Sequence, residues 1–319
     1  MNQTLFPQNN PLAFNSSNVS FGRHASFAVR YGWLSKGFQL FQKDTAAFAA
    51  DDATIALGVG KNMVDAIKYW LRATQLVDTS FSQPTPLGCL FFDRKAGLDP
   101  YLEDEATVWV LHWLLASNPS IATANFWFFN QFHKAEFSGD ELATALADFT
   151  RDQVAQKRRP SSATVKKDAQ LLTRMYVQSR SSGRAPLEDA LDSPLSLLGL
   201  VSQSSVARTF RSPRLERSSL PPAVLGFALT EILNAKNINM IPIEELMQTK
   251  DSFPAPGSIF RLTESDILQK IEQLIEGYPH IFEIRETAGI HQLYLLSEVD
   301  PILFLNDHYK SGLASGVAA

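Results

Sequence analysis

The stretch DDATIALGVGKNMVDAIKYWLRATQLV, residues 51–77, restricts the fold more than any other part of the sequence. Two helices crossing through a tight turn need a small residue at the contact. They also need a glycine able to take a positive φ, and apolar positions that pin the second helix. Ala53 or Thr54 supplies the contact, Gly58 the turn, and Leu57, Val59, Val64, Ile67 and Leu71 the pins. The pattern predicts a helix-turn-helix with Lys61, Asn62, Asp65, Lys68 and Arg72 on the outer face of its second helix. Lys61, Asn62, Lys68 and Arg72 are of types that reach phosphates and base edges. Asp65 would repel phosphate, and the same fold is a common protein–protein scaffold.

The rest of the chain reads as mainly α with small β wings, arranged as tandem winged-helix or helix-turn-helix-like units. A polar arm over 1–20 precedes the helix-turn-helix-like domain, 21–82, whose pattern reads as helical from 21 to 77. A helical domain with a second winged-helix-like unit and a basic segment covers 83–200. Within it, Ser138 and Glu141 have capping-box spacing for a helix to about residue 153. Pro160 bars helix at Arg159, and Ser161 or Ser162 caps a helix whose Val165, Ala169, Leu172, Met175 and Tyr176 share one side. The segments 178–185 and 202–222, rich in Ser, Arg and Pro, read as flexible, so 201–221 is assigned as a linker. A C-terminal winged-helix-like domain, 222–319, has helices from about 223 and 243 and a third capped by Thr263. Its wing is the hairpin HIFEIRE–TAG–IHQLYLL.

Net charge is −4, but its distribution is uneven. Residues 151–217 carry 13 Lys and Arg against 6 Asp and Glu, inside an otherwise acidic chain. Lys157, Arg158 and Arg159 precede a helix carrying Lys166, Lys167 and Arg174, a grouping that suits a phosphate-facing surface. A solvated charged face is the alternative.

Several chemistries find no support. LGVGKN resembles the end of a phosphate-binding P-loop, yet Ile55 stands where the motif wants glycine and Asn62 where it wants Ser or Thr. The six histidines show no HExxH pairing and no Cys/His ligand spacing, and His24 has no carboxylate beside it in sequence, so it reads as buried or capping. Asp99, Glu103, Asp104 and Glu105 could hold a divalent cation, although carboxylates at a helix start are favourable in themselves. Cys89 is the one cysteine, so it forms no internal disulfide and reads as a core residue. The 22 Phe and 5 Trp supply enough apolar area for a core without metal or cross-links. No basic and apolar leader opens the chain, and no run is long enough to span a membrane, so a cytoplasmic protein is expected. Neither a catalytic site nor a cofactor is expected.

Three blocks carry a family resemblance: FGRHASFAVRYGWLSKGF (21–38), LGVGKNMVDAIKYWLRATQLV (57–77) and GLDPYLEDEATVWVLHWLL (97–115). They resemble the hallmark blocks of an uncharacterised bacterial family catalogued as domain of unknown function 4007. The likeness continues more loosely through SSATVKKDAQLLTRMYV. Members of that family are typically encoded beside a PAPS-reductase-type sulfurtransferase and a cysteine desulfurase in phage-defence islands that install phosphorothioate in DNA. The resemblance therefore implies a role in DNA phosphorothioation or linked phage defence, with no residue role carried over.

Three functions follow as expectations. The first is a DNA-binding accessory subunit that presents double-stranded DNA to the sulfurtransferase, with the cysteine desulfurase as a further partner. The second is an adaptor that docks the sulfurtransferase without touching DNA, for which exposed aromatics such as those around residues 126–129 would serve, although a core role is the better reading of those residues. The third is a winged-helix regulator of the defence operon, for which a homodimer is the natural form. An enzyme ranks behind all three.

Overall fold

The helix pair expected around Gly58 is present in the computed structural model, which describes residues 11–49, 52–178, 193–206, 208–249, 252–287 and 289–316. Helix α2 (Ala53–Leu57) ends on Gly58 at φ +68°, and α3 (Lys61–Ala73) follows after two residues. Val64, Ile67 and Leu71 are buried, the last two against α1 (Tyr31–Lys43). The two long helices approach closely at Gly37, where an added Cβ would lie 2.5 Å from Ile67 Cγ2. Residues 21–30, read as helical from sequence, are instead an irregular turn with Ala25 and Ser26 at positive φ. Side-chain bonds described below hold that conformation in place of helix.

Helix α4 (Pro86–Phe92) leads through a loop into α5 (Glu105–Ala116) and α6 (Thr123–Asn130). Every residue from Ala106 to Ala116 is buried, and so is all of α6. A helix apolar all round belongs in a core rather than at a surface. The aromatics at 126–129, considered as adaptor contacts, are therefore core residues. Cys89 is partly buried and packs against the same core.

Around this centre one element order occurs twice. In the first instance α6 is followed by β1 (Glu136–Ser138), α7 (Gly139–Gln153), α8 (Ser162–Tyr176), β2 (Ser202–Gln203) and β3 (Thr209–Arg211). In the second, α9 (Pro222–Lys236) is followed by β4 (Met240–Pro242), α10 (Ile243–Met247), the short α11 (Pro256–Ile259), α12 (Glu264–Gly277), β5 (Phe282–Thr287) and β6 (Ile290–Leu295). Both sheets are three-stranded and antiparallel, ordered β1-β3-β2 and β4-β6-β5. In each, the last strand pairs with the first, closing the sheet beside its helices. Helix α13 (Ile302–Gly316) packs on α9. The protein is thus mainly helical with two small antiparallel sheets.

The helix starts follow the sequence. Ser138 and Glu141 form the capping box of α7, Ser161 accepts from Thr164 N to cap α8, and Thr263 accepts from Asp266 N to cap α12. The 202–222 segment, expected to be flexible, departs from its sequence reading. It contains β2 and β3, and its arginines are bound to backbone carbonyls: Arg214 to Gly257 O, Leu262 O and Met247 O, and Arg217 to Gly199 O and Pro213 O. A Ser/Arg-rich composition looks like solvent-exposed chain until those carbonyls are supplied by distant segments. The 178–185 reading falls, apart from Gln178, outside the described residues.

Polar nodes inside the core join its parts. His112 on α5 bonds Tyr176 Oη of α8 and Ile259 O of α11, both at 2.9 Å. Since Ile259 O can only accept, Nε2 carries the proton, and burial pushes the imidazole pKa down to about 3. Trp113 Nε1 donates to Glu231 of α9 at 2.6 Å. Burial pushes the Glu231 pKa from 4.5 up to about 7, against the lowering effect of that bond.

A pH dependence of stability follows. Between about pH 4.5 and 7 the folded chain holds a proton on Glu231 that the unfolded chain has released. Stability from the neutral acid is present in full below pH 4.5 and is lost as pH rises through 7. The urea midpoint of the wild type is expected to fall across that window relative to Glu231→Gln. Superimposable profiles would rule the effect out.

Candidate nucleic-acid interface

The basic segment singled out in the sequence converges on α8. This helix buries Val165, Asp168, Ala169, Leu171, Leu172, Met175 and Tyr176 and exposes Lys166, Lys167, Gln170 and Arg174. At 100° per residue the exposed set occupies one arc of the helix. Lys157, Arg158 and Arg159 lie just before it, in a 3-10 turn (Gln156–Arg158) and its cap, and all three are exposed. Arg159 Nε donates to Val154 O at 3.1 Å, which orients its guanidinium. Among the described residues, none of these six cations has a carboxylate partner.

Asp168 is the one acidic residue of α8, and it faces inward. It is 3% exposed and accepts His24 Nε2–H at 2.7 Å and the Gly22 amide at 3.0 and 3.1 Å. His24 Nδ1 in turn accepts the Ser26 amide at 3.0 Å, so both ring nitrogens are used and the tautomer is set. The ring stacks at 14° on Trp70 of α3, with Tyr69 against its edge. The GRHAS turn is therefore a wedge between α3 and α8, held by one carboxylate.

The wedge gathers cations from three separate segments. Arg174 Nη1 reaches Ser26 O at 3.5 Å. Arg72, near the end of α3, is half-buried; burial lowers its pKa, with Tyr69 opposing and the nearby Arg23 reinforcing the effect. Arg23 is exposed on the turn itself. The fold thus joins Arg72 to the α8 surface and adds Arg23, which the sequence alone does not single out. Its signal is present in FGRHAS, but spacing along the chain does not reveal that the turn meets α8. Lys61 and Asn62 are exposed at the far end of α3, eleven residues or about 16 Å of helix from Arg72. Lys68 lies between, with its ammonium 4.9 Å from the Phe81 ring centre. The two groups of candidates are not one patch.

Helix α12 occupies the same place in the second unit that α8 occupies in the first, with opposite charge. Its exposed residues include Glu264, Glu272 and Glu276, while its single lysine, Lys270, is buried and bonds Leu220 O. Its surface would repel phosphate. The carboxylates at 99–105 are structural acceptors: Asp99 is buried and takes the Glu103 and Asp104 amides, and Asp104 caps Ala106 N and bonds His308. Among the described residues no three His, Cys, Asp or Glu side chains come together as metal ligands. Nor is any described helix long and apolar enough to cross a membrane.

The chain is similar over nearly its whole length to two solved structures. One, described as the SspB crystal structure, is 30% identical, has a TM-score of 0.79, and is matched over 94% of this chain and 90% of that one. The other, a magnesium ion-bound SspB crystal structure, is 29% identical with a TM-score of 0.80, covering 95% and 91%. No curated protein matches. The family model described as protein of unknown function DUF4007 matches residues 21–309. The chain therefore belongs to the DUF4007 family.

Proposed function

We propose that this protein is a non-enzymatic, DNA-binding accessory subunit of a bacterial DNA phosphorothioation or linked phage-defence system, presenting duplex to a PAPS-reductase-like sulfurtransferase. The observation that carries the reading is the face of α8. Three cations stand there and three more just before the helix, all without carboxylate partners among the described residues, and the one carboxylate of the helix is turned inward. The order helix, strand, helix, helix, strand, strand, with the last strand paired to the first, supports reading both repeated units as winged helices. In that reading α8 is the recognition helix of the first unit, and the acidic α12 takes no part in DNA contact. The family resemblance supplies the phosphorothioation context, with which the name SspB of the similar structures agrees.

The test is fluorescence anisotropy with a labelled random duplex across a salt series. Affinity is expected to fall steeply with salt. Lys157→Glu, Lys166→Glu and Lys167→Glu together should weaken it at least roughly tenfold. The salt slope should become shallower by about one for each phosphate no longer neutralised. Glu272→Lys on α12 should leave affinity unchanged. No binding at low salt would replace this reading with the adaptor, for which a pull-down with the sulfurtransferase is the test.

One of the similar structures is described as magnesium ion-bound, which favours a second reading, a magnesium-dependent activity on DNA, although among the described residues of this chain no three His, Cys, Asp or Glu side chains come together as ligands. Supercoiled plasmid incubated with the protein and magnesium chloride separates the two. Plasmid that stays supercoiled agrees with an accessory role, and conversion to open circles would establish an enzyme.

A further inference from the structure

A second concentration of cations lies away from α8. Lys36 and Lys43 of α1 and Arg94 line an open groove of about 640 Å³ between α1 and α2, and among the described residues no carboxylate lines it, although Gln42 of its wall donates to Asp93. Among the described residues none of the three has an acidic partner. At the rim Ile55 of α2 is 82% exposed, the most exposed large apolar side chain described. Single exposed apolar residues are ordinary, but one beside three unpaired cations in a concavity is a specific combination.

Its complement is a few residues further along the same chain. The 97–104 loop projects Tyr101, 77% exposed, beside exposed Leu98. Glu103 and Glu105, both exposed and without cationic partners among the described residues, flank them. The loop is fixed from within. Leu98 N donates to Leu90 O, Asp99 N to Phe91 O, and the buried Asp99 carboxylate takes the Glu103 and Asp104 amides. A rigid aromatic on a preordered loop is what an interface anchor requires, because little entropy is lost on docking.

The geometry points to a homodimer in which the acidic Tyr101 loop of each copy enters the cationic α1–α2 groove of the other. A twofold interface requires one surface to carry both halves of its own complement. Here the groove is built mostly by α1 and α2, and a short stretch of chain links it to the knob, with Arg94 lining the groove and Tyr101 on the loop. The inference does not depend on DNA binding, and its test contains no DNA.

Sedimentation equilibrium of the full chain at low and moderate salt is the measurement. The wild type is expected to dimerise, and Tyr101→Ala to raise the dimer Kd about thirtyfold. Glu103→Lys with Glu105→Lys should raise it at least roughly tenfold, as should Lys36→Glu with Lys43→Glu. Mixing these two double variants should restore the dimer, because each loop then meets a groove of opposite sign. All these positions are exposed, so circular dichroism melts should match the wild type. A monomeric wild type, a dimer indifferent to both reversals, or a mixture that fails to re-form it would each overturn the inference.

Discussion

Arg261→Met is expected to destabilise the protein by at least about 3 kcal/mol and to lower its melting temperature by about 4–5 °C or more. Arg261 is 2% exposed and bonded entirely to neutral acceptors. Its Nη2 reaches Phe128 O at 2.9 Å and Phe132 O at 3.0 Å, its Nη1 reaches Phe129 O at 3.3 Å, and its Nε reaches Ser212 Oγ at 3.1 Å. Phe128 O and Phe129 O belong to the last turn of α6, which the helix itself leaves unpaired and which forms the negative end of its dipole, and Phe132 O lies two residues beyond it. One guanidinium from the C-terminal part therefore caps the most buried helix of the N-terminal part. The opposing effect is the cost of burying the charge beside Arg214 and Arg217, seen as a pKa pushed down to about 9. Bonds from a charged donor contribute about 1.5–3 kcal/mol each, and four of them outweigh that cost. Methionine fills much of the volume and satisfies none of the carbonyls. A melt within about two degrees of the wild type would show that water or a rearranged loop takes over the cap.

The second large effect belongs to Asp168. Asp168→Ala is expected to cost about 2–6 kcal/mol in urea unfolding, since two enclosed neutral donors lose their acceptor at about 1–3 kcal/mol each. The Gly22 amide and His24 Nε2–H would both lose their acceptor in a closed site. The consequence reaches function, since the same carboxylate seats the GRHAS turn between α3 and α8. On the proposed DNA surface, Arg23, Arg72 and Arg174 would lose their common support. Duplex affinity should fall at temperatures where the variant remains folded, although no cation has been removed. Asp168→Asn keeps an acceptor oxygen and should be milder in both respects. A stable variant with unchanged DNA affinity would show that the wedge is not what positions these arginines.

Much of the architecture is legible because the signals are local. The glycine at position 58, the capping box at 138 and 141, and the caps at 161 and 263 act within one helical turn, and each is realised. Periodicity gives the buried side of α8 and, with it, the exposed side carrying Lys166, Lys167 and Arg174. The 202–222 segment reads wrongly as flexible because Arg214 and Arg217 look solvated unless the carbonyls of 199, 213, 247, 257 and 262 are brought to them.

His24 marks the boundary most clearly. By itself the sequence determined that a histidine lies in a distinctive turn without a neighbouring acid, that a cationic helix follows a KRR loop, and that two helices cross at Gly58. Each depends on residues a few positions apart, whose relation is set by helix and turn geometry. Only the tertiary structure decided that the partner of His24 is Asp168, 144 residues away, and that this pairing removes the one negative charge from the face of α8. It also decided that Arg72 belongs with α8 while Lys61 does not, and that the matching helix α12 is acidic on its outer face. Those outcomes depend on long-range packing, where the core closes around α5 and α6 and polar side chains take whichever partners it brings within reach.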